Sequence, residues 1–441
     1  MNEGQSVTTG KLPDSPLYDA LNAVNSVEEL DIPSSIVIDI IMRVLFNEGE
    51  VGIKRLSQLI KLGSMVIDEI VTKLQHDQLM TVASAGQMGR FSYTYTLTDE
   101  GTKRAREAME RSQYIGPAPV PVEKYTKLIL MQSNQKIEIN EEQVKEALSN
   151  LILPKNFHRS IGPAVASGSS IFLYGPPGNG KTTVAEAIAK LLGDAGGIWV
   201  PYAVTVAGHI VNIYDPLLFK PIELSHEEER HIDKRWGKWV RPSVMVGGEL
   251  TMDALELRYD PLAKFYESPL QMKANGGMFL IDDFGRQMME PQELLNRWIV
   301  PLETEIDFLR LRTGQALEVP FRQLIVFSTN LDPMELVDGA FLRRIQMKVQ
   351  VPRPDDRMFF QIFGIMAKML DVALEKEGYL HLVQKWYKDT GRRMEAVHPR
   401  DLLKIIKSIC SYTGETPRLT PALVDEACTN YFVADDAAKD W

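Results

Sequence analysis

Residues 171–190 read IFLYGPPGNGKTTVAEAIAK, and this stretch decides the fold predicted for the rest of the chain. Its first four residues are apolar and lie between turns rich in glycine, serine and proline, which is typical of a short strand buried on both faces. Beyond the loop, Val184, Ile188 and Leu191 recur at helical spacing until Gly193, which suits the C-terminus of a helix. The sequence therefore predicts a strand, a glycine-rich loop and a helix in that order.

The loop between this strand and helix matches the complete phosphate-binding pattern G-x-x-x-x-G-K-[ST]. Its glycines let successive backbone N–H groups point inward, and the helix N-terminus adds its positive dipole end. In such a loop the lysine, Lys181, reaches the β- and γ-phosphates, and the hydroxyl of Thr182 ligates Mg²⁺. The predicted phosphate-binding residues are Gly175, Pro176, Pro177, Gly178, Asn179, Gly180, Lys181, Thr182 and Thr183.

The composition is that of an ordinary globular protein, with room for about three domains in 441 residues. The net charge of -10 argues against a protein that coats nucleic acid. Only Cys410 and Cys428 are present, which excludes a disulfide framework and favours a reducing compartment. No apolar run approaches the roughly 18 residues of a membrane helix, and the first residues lack the features of a signal peptide. We therefore expect a cytoplasmic protein without a membrane span.

Residues 34–112 predict three short helices, a two-stranded hairpin and a closing helix, after a tail over residues 1–33 that shows no clear period. The two strands are expected at Leu79–Val82 and Tyr93–Leu97, on either side of a turn over residues 85–89. This order of elements resembles a winged helix.

A winged helix commonly reads DNA, so the charges of this range matter. It holds ten Lys/Arg and ten Asp/Glu, and its third helix carries Asp68 and Glu69 against a single Lys73. Because acidic groups on that helix would face phosphates, protein docking or a structural role is favoured over DNA binding. The proline-rich run that follows predicts a stiff, extended linker over residues 113–140.

Three further strands are predicted beyond the loop. Met278–Ile281 ends in Asp282 and Asp283, and Leu324–Phe327 is followed by Ser328, Thr329 and Asn330. Residues 345–351 alternate apolar and polar side chains, which indicates an edge strand. A carboxylate at the C-terminal end of a parallel strand beside the loop can hold Mg²⁺ or its water, so Thr182 and Asp282 are the predicted metal ligands. Asp283 is the candidate base that orients the attacking water.

The order of these motifs resembles an AAA+ ATPase over roughly residues 150–435. It continues with Phe341-Leu342-Arg343-Arg344 and His398-Pro399-Arg400-Asp401, and Asp282 to Arg286 matches the Asp-Glu-x-x-Arg spacing of MoxR-like members. The resemblance implies an α/β fold: a P-loop domain with a parallel sheet over residues 141–352 and a helical lid over residues 353–441, preceded by the small winged-helix domain. It also implies ATP and Mg²⁺ as cofactors and a ring, of six subunits by analogy.

The resemblance assigns roles to four further residues. Asn330 is similar to the sensor 1 residue that positions the water. Arg344, with Arg343 as the alternative, is similar to the arginine finger that reaches a neighbouring subunit's γ-phosphate. Arg400 is similar to the sensor 2 arginine of the lid. The predicted catalytic residues are Lys181, Asp282, Asp283, Asn330, Arg343, Arg344 and Arg400.

The chain departs from the family at Asp283, where the usual residue is glutamate. Aspartate is one methylene shorter, which sets the base about 1.5 Å further back unless the backbone shifts. A misplacement of about 1 Å can cost roughly a hundredfold in rate, so hydrolysis is slow or the water is held differently.

The segment between the loop and Asp282 is longer than one strand and helix require, which predicts an insertion over about residues 205–275. Its Trp236 and Trp239 either belong to a loop that projects towards a substrate or pack the insertion down. A hairpin is predicted over Phe308–Val319, similar to the hairpin before sensor 1 in the MoxR and helix-2-insert groups. His226 and His231 do not have zinc-ligand spacing and predict a solvated helix.

These observations favour a remodelling motor or MoxR-like chaperone that acts on a protein complex. A DNA-associated regulator anchored by the winged helix is the first alternative. A nucleotide-gated scaffold with weak hydrolysis is the second, and Asp283 is the residue that keeps it open.

Overall fold

The computed structural model describes residues 15–85, 92–134, 139–336 and 339–432. The chain forms two compact units, each assembled from separate segments. The first comprises Met1–Ile137, Leu192–Phe279 and Glu293–Leu324, and the second comprises Glu138–Leu191, Leu280–Gln292 and Ile325–Trp441. The predicted insertion therefore belongs to the same unit as the N-terminal region.

Helices and strands occur throughout the described residues. The helices are α1 Pro16–Ala20, α2 Ser34–Glu48, α3 Ile53–Ile60, α4 Ser64–His76, α5 Asp99–Arg111, α6 Val122–Ser133, α7 Glu141–Ala147, α8 Phe157–Ser167, α9 Lys181–Asp194, α10 His226–His231, α11 Leu270–Lys273, α12 Pro291–Thr304, α13 Pro333–Leu336, α14 Gly339–Arg344, α15 Asp356–Leu370, α16 Lys376–His381, α17 His398–Thr413 and α18 Pro421–Tyr431, with a 3₁₀-helix at Met252–Leu255 and a π-helix at Leu382–Lys388. The strands are β1 Val51–Gly52, β2 Met80–Ser84, β3 Thr94–Leu97, β4 Val120–Pro121, β5 Ile171–Tyr174, β6 Gly197–Pro201, β7 Ala203–Val206, β8 His209–Asn212, β9 Trp236–Val240, β10 Ser243–Val246, β11 Arg258–Asp260, β12 Phe265–Glu267, β13 Met278–Ile281, β14 Ile306–Arg310, β15 Ala316–Pro320, β16 Leu324–Thr329 and β17 Met347–Gln350.

The helices and strands predicted between residues 34 and 112 are present. Helices α2 to α4 bury the apolar faces expected of them, and strands β1, β3 and β2 form a small sheet in that order. Thr98 caps α5 by accepting a hydrogen bond from Gly101 N at 3.0 Å. From residue 86 to residue 89 the predicted turn lies outside the described residues. The resemblance to a winged helix stays a prediction.

Residues 15–33 differ from the predicted tail, because they pack within the first unit. Leu17 and Leu21 are buried in its core. Val27 N donates a hydrogen bond to Glu69 Oε2 on α4 at 3.1 Å, so one of the acidic groups of α4 holds the N-terminal segment. This stretch is held in place by residues that are distant in the sequence, and no local periodicity predicts these contacts. Residues 1–14 of the predicted tail lie outside the described residues.

The predicted linker over residues 113–140 also differs from the structure. Val120 and Pro121 form β4, which pairs with β7 in parallel, and α6 follows directly. Val122, Tyr125 and Ile129 recur at helical spacing on α6 and are buried. The prolines before this helix do stiffen the chain, but the segment is anchored in a sheet and a core instead of spanning solvent. Residues 135–138 lie outside the described residues.

The predicted insertion forms most of a five-stranded sheet with the order β11–β12–β8–β7–β4. Trp236 and Trp239 lie on β9, which pairs with β6, and both side chains are buried. The two tryptophans therefore pack the insertion down, and the projecting-loop interpretation is wrong for them. The predicted hairpin is present as antiparallel β14 and β15, with Leu309 and Leu317 buried and Phe308 exposed.

In the second unit, strands β13, β16, β5 and β17 are neighbours in that order. Strand β5 runs parallel to both β16 and β17, and β17 lies at the edge as its alternation predicted. Strands β13 and β16 are buried along their whole length. Phe172 on β5 packs against Phe284 and Phe327, which anchors the loop after β13 to the centre of the sheet.

The predicted lid is helical from α15 to α18, as far as residue 432, where the described part ends. Apolar side chains of α15, α17 and α18 share one core that includes Phe359, Phe363 and Leu403. Cys410 and Cys428 are free thiols buried there. Among the described residues, no helix has the length and apolar character needed to cross a membrane.

Arg235 is a buried charge at the centre of the first unit. Its guanidinium donates to Asp233 Oδ2 at 2.7 Å and to Asp31 Oδ1 at 2.7 Å, and its side chain has no exposed surface. Burial alone lowers the pKa of Arg235, but the two carboxylates outweigh it and hold the pKa above its ordinary value. The ion pair therefore joins the N-terminal segment to the insertion.

We expect Arg235→Ala to destabilise the first unit by about 3 to 5 kcal/mol, because it removes the guanidinium that pairs with the buried carboxylate of Asp233 at 2.7 Å and leaves it the more distant Lys124 at 3.7 Å. Lys234→Ala, at the exposed neighbouring position, is the matched control. The denaturant midpoint of both variants gives the measurement. Equal midpoints for the two variants would contradict a stabilising role of the buried pair.

Candidate functional site

The site is built where neighbouring strands of the second unit end. Gly175 follows β5, Asp282 follows β13, and Asn330 follows β16. Strands β5 and β16 run parallel, so the residues after them meet at one edge, and the hydrogen bond from Asn330 to Asp283 places the turn after β13 at the same edge. The second unit thus brings together the glycine loop, both aspartates and Asn330, as the sequence predicted.

The glycine loop has the backbone shape that a phosphate-binding loop requires. Gly175, Gly178 and Gly180 have φ values of 143°, 70° and 89°, which side chains rarely tolerate. A Cβ on Gly175 would lie 2.3 Å from the carbonyl oxygen of Val351, so only glycine fits there. Helix α9 begins directly after the loop, and its N-terminal N–H groups and dipole favour an anion at this point.

Lys181 is buried with its ammonium group inside the loop. Its Nζ donates to the carbonyl oxygens of Gly175 at 2.9 Å and Pro176 at 3.0 Å, and to Asn330 Oδ1 at 2.5 Å. Burial lowers the pKa of Lys181 below its ordinary value, while the charges of Asp283, Asp282 and Glu395 act in the opposite direction. The Lys181 ammonium group is therefore held by the loop and by Asn330, within the electrostatic influence of these three carboxylates.

Thr182 and Asp282 form the pair expected of a magnesium site. The Thr182 hydroxyl donates to Asp282 Oδ2 at 2.8 Å, so a neutral and an anionic oxygen are adjacent. Mg²⁺ prefers oxygen ligands and usually takes only one or two from the protein, with the rest from phosphates and water. This donor set fits the ion. Within the described ranges, no cluster of three or more His, Cys, Asp or Glu offers an alternative metal site.

Asp283 and Asn330 are held together by a hydrogen bond from Asn330 Nδ2 to Asp283 Oδ1 at 3.0 Å. The amide of Asn330 therefore lies between a cation on its oxygen and a carboxylate on its nitrogen, which fixes its orientation. Asp283 has a φ of 49°, in the left-handed region that aspartate enters more readily than most residues with a side chain. Its exposed carboxylate is thus turned towards Asn330 and remains accessible to water.

Comparison with known families agrees with this geometry. Residues 171–232 match the AAA family, described as the ATPase family associated with various cellular activities. The match begins at the first residue of β5 and includes the glycine loop and α9. The fold around the glycine loop is therefore that of an AAA+ P-loop protein. Residues 355–430 match a domain of unknown function, which lies within the helical lid.

Two bacterial relatives of this chain are described as AAA ATPases forming ring-shaped complexes. The one from Rothia mucilaginosa (strain DY-18) is 25% identical over 388 residues, which covers 83% of this chain and 56% of the relative. The one from Corynebacterium urealyticum (strain ATCC 43042 / DSM 7109) is 25% identical over 237 residues, or 53% of this chain and 36% of the relative. The chain thus spans at most 56% of the length of these two relatives.

Two solved structures illustrate what the chain is similar to among known structures. NtrX from Brucella abortus in complex with ATP is 15% identical, with a TM-score of 0.42, over 86% of this chain and 74% of that one. The RuvB Holliday junction branch migration motor of Thermotoga maritima is 16% identical, with a TM-score of 0.36, over 68% of this chain and 73% of that one.

The glycine loop of the AAA+ domain is bonded to the segment that precedes α17 in the lid. Asn179 is buried, and its Oδ1 accepts from Ala396 N at 3.1 Å. Val397 N donates to the carbonyl oxygen of Gly178 at 2.9 Å. A Cβ on Gly178 would lie 2.8 Å from Val397 Cγ1 and 3.0 Å from Glu395 Oε2. Sequence reasoning missed this contact, because no local pattern marks residues 395–397.

The predicted arginines lie apart from the hydrogen-bonded centre. Arg344 precedes β17, and its carbonyl oxygen accepts from Ser170 Oγ at 3.3 Å, at the start of β5. The glycine loop follows the other end of β5, about 13 Å away for a four-residue strand. Arg343 is exposed beside it on α14. Arg400 is half exposed near the start of α17, where its Nε donates to Asp401 Oδ1 at 2.9 Å.

His398 holds the lid segment that touches the loop. Its Nδ1 lies 2.9 Å from the hydroxyl of Tyr387 and accepts from Glu395 N at 3.3 Å. Burial lowers the pKa of His398 to about 4, with a contribution from Arg392 in the same direction and an opposing one from Asp401. The imidazole is therefore neutral at pH 7, which suits its role as an acceptor.

The lid should lose stability as the pH falls from about 6.5 to about 4. As the pH falls through this window, His398 takes up a proton in the unfolded chain before it does so in the folded chain. About 3 kcal/mol of folding stability that is present above pH 6.5 is therefore lost. We expect His398→Asn to flatten this dependence, measured as amide exchange of α17 against pH. His226→Asn, at a histidine side chain with 97% exposure, should leave it unchanged. A wild-type lid insensitive to pH here would contradict the argument.

Proposed function

We propose that this AAA+ domain binds ATP with Mg²⁺ and hydrolyses it. The observation that carries the proposal is the connected set of hydrogen bonds at the glycine loop. Asn330 accepts a hydrogen bond from Lys181 and donates one to Asp283. Beside them, the Thr182 hydroxyl donates a hydrogen bond to Asp282. A loop that served only as a turn would not require a buried lysine, a threonine–aspartate pair and a polarised asparagine together.

Each residue has a role in attack of water on the γ-phosphate. The Lys181 ammonium stabilises negative charge on the transferred group. The Asp283 carboxylate accepts a hydrogen bond from the attacking water and orients it, while Asn330 fixes that carboxylate through the 3.0 Å hydrogen bond. Thr182 and Asp282 hold the Mg²⁺ ion, which supplies charge neutralisation at the phosphate oxygens when bound.

We propose further that the active site is completed by a second copy of the chain. Arg343 and Arg344 end α14 just before β17 and lie near the start of β5, whereas their own glycine loop follows the other end of β5. This distance from their own loop supports a role for one of them at a neighbour's site. The two bacterial relatives are described as forming ring-shaped complexes, which supports a ring, of six subunits by family analogy.

The biological task that fits best is that of a MoxR-like remodelling or chaperone motor acting on a protein complex. The antiparallel hairpin β14–β15 directly before β16 supports this grouping, and the free buried thiols fit a reducing compartment such as the cytoplasm. Helix α4 offers less for DNA binding, since Glu69 already accepts a hydrogen bond from Val27 N. A weakly hydrolysing scaffold remains the alternative that a rate measurement separates.

Phosphate release by the purified protein tests the proposal. With Mg²⁺ and ATP, we expect a rate per subunit that climbs as protein concentration is raised, because sites are completed between subunits. Lys181→Ala should abolish it, whereas Lys190→Ala, an exposed lysine on α9, should not. A wild type with no release at any concentration that nonetheless binds ATP would replace the motor by a nucleotide-gated scaffold.

Mixing two inactive variants tests the finger in trans. Subunits with Arg344→Ala keep Asp283, and subunits with Asp283→Asn keep Arg344, so a mixed assembly regains complete sites. Random mixing at equal amounts should restore about one quarter of the wild-type rate. The same experiment with Arg343→Ala identifies which arginine acts. No recovery with either variant would contradict a finger supplied by a neighbour.

A further inference from the structure

Gln287 makes three hydrogen bonds to the backbone of the turn that carries the two aspartates. Its Nε2 donates to the carbonyl oxygens of Asp282 at 3.0 Å and Asp283 at 3.2 Å. Its Oε1 accepts from Gly285 N at 2.8 Å. One half-buried amide thus satisfies three main-chain groups of residues 282–285, in a stretch that belongs to no helix or strand.

This turn has two positive φ values, and the one at Asp283 needs support because aspartate, unlike glycine, carries a side chain. Asp283 has a φ of 49° and Gly285 a φ of 102°. For a residue with a side chain, the left-handed conformation is unfavourable and persists only where surrounding contacts impose it. The carbonyl groups that Gln287 binds are those on either side of the strained residue Asp283. The amide therefore stabilises the one conformation that aims the Asp283 carboxylate at Asn330.

Contacts of Phe284 fix the position of the turn. Phe284 packs on Phe172 and Phe327, and its backbone bonds to Ser328 O and to the hydroxyl of Thr329. These contacts anchor residue 284 to β16. Asp283 N also donates to Asp282 Oδ1 at 3.1 Å, and Arg286 N donates to the carbonyl oxygen of Asp283 at 3.0 Å. Gln287 adds to these local bonds by linking the carbonyl groups of Asp282 and Asp283 through one side chain.

We infer that Gln287 is a positioning residue that sets the direction of the Asp283 carboxylate during ATP hydrolysis. The inference rests on the proposed function. It also explains how an aspartate can act at the position where the family that the chain resembles usually has glutamate. The left-handed backbone, held by Gln287, turns the shorter side chain towards Asn330. A residue acting in this way changes turnover through Asp283 and leaves nucleotide binding alone.

The first test compares Gln287→Ala, Gln287→Glu and the control Gln361→Ala, an exposed glutamine on α15. We expect Gln287→Ala to lower kcat roughly ten- to hundredfold, with the affinity for a fluorescent ATP analogue unchanged within about twofold. Gln287→Glu keeps the shape and the acceptor but loses both donors, so it should lose turnover as well. A fully active Gln287→Glu, or a loss shared with Gln361→Ala, would overturn the inference.

The second test asks whether Gln287 acts through Asp283. In an Asp283→Asn background, adding Gln287→Ala should produce little further loss, because the carboxylate to be directed is already gone. Losses that simply multiply, or a parallel loss of ATP affinity, would show that Gln287 supports the domain in general and would overturn the proposal.

The third measurement does not depend on turnover. Amide exchange at Gly285 should accelerate by about fivefold or more in Gln287→Ala, since its N–H loses an acceptor worth about 1 kcal/mol. Unchanged exchange would overturn the positioning role. If the wild type bound ATP but never hydrolysed it, the proposed function would fail, and this measurement would still decide whether Gln287 holds the turn.

Discussion

The hydrogen bonds of one side-chain amide, Asn330, connect the parts of the nucleotide site. Its oxygen accepts from Lys181 in the glycine loop, and its nitrogen donates to Asp283 after the neighbouring strand. A cation on one side and a carboxylate on the other leave the amide a single orientation. These groups meet because β5 and β16 run parallel and end at one edge of the sheet, with β13 next to β16 and Asp283 within hydrogen-bond distance of Asn330.

Around this centre, the backbone conformation shapes the site as much as the side chains do. Glycines with positive φ let the loop curve, and Asp283 adopts a left-handed conformation that turns its short side chain towards Asn330. The loop is also bonded to the lid through Asn179 and Ala396. A change in the loop on binding phosphate would thus reach the lid directly, and His398 beside that contact keeps the lid segment in place as a neutral acceptor.

Much of the second unit could be predicted from the sequence, because its signals are local. The pattern from β5 to α9, the carboxylates after β13 and the asparagine after β16 each follow a buried apolar strand, and the structure brings them together as expected. The first unit could not be predicted in the same way. Leu17, Val120 and Trp239 share a core although they lie far apart in sequence, and a proline-rich run that resembled a linker became β4.

The sequence by itself determined the phosphate loop and its partners, since residue type and spacing over a few positions fix their chemistry. Only the tertiary structure decided that the insertion joins the N-terminal region, that Trp236 is buried, and that Gln287 supports the turn of Asp283. The physical reason is the distance along the sequence over which the deciding interactions act. A loop or helix is specified by neighbours within a few residues, whereas burial and a side chain's hydrogen bonds to a strained turn depend on surfaces that exist only after the chain has folded.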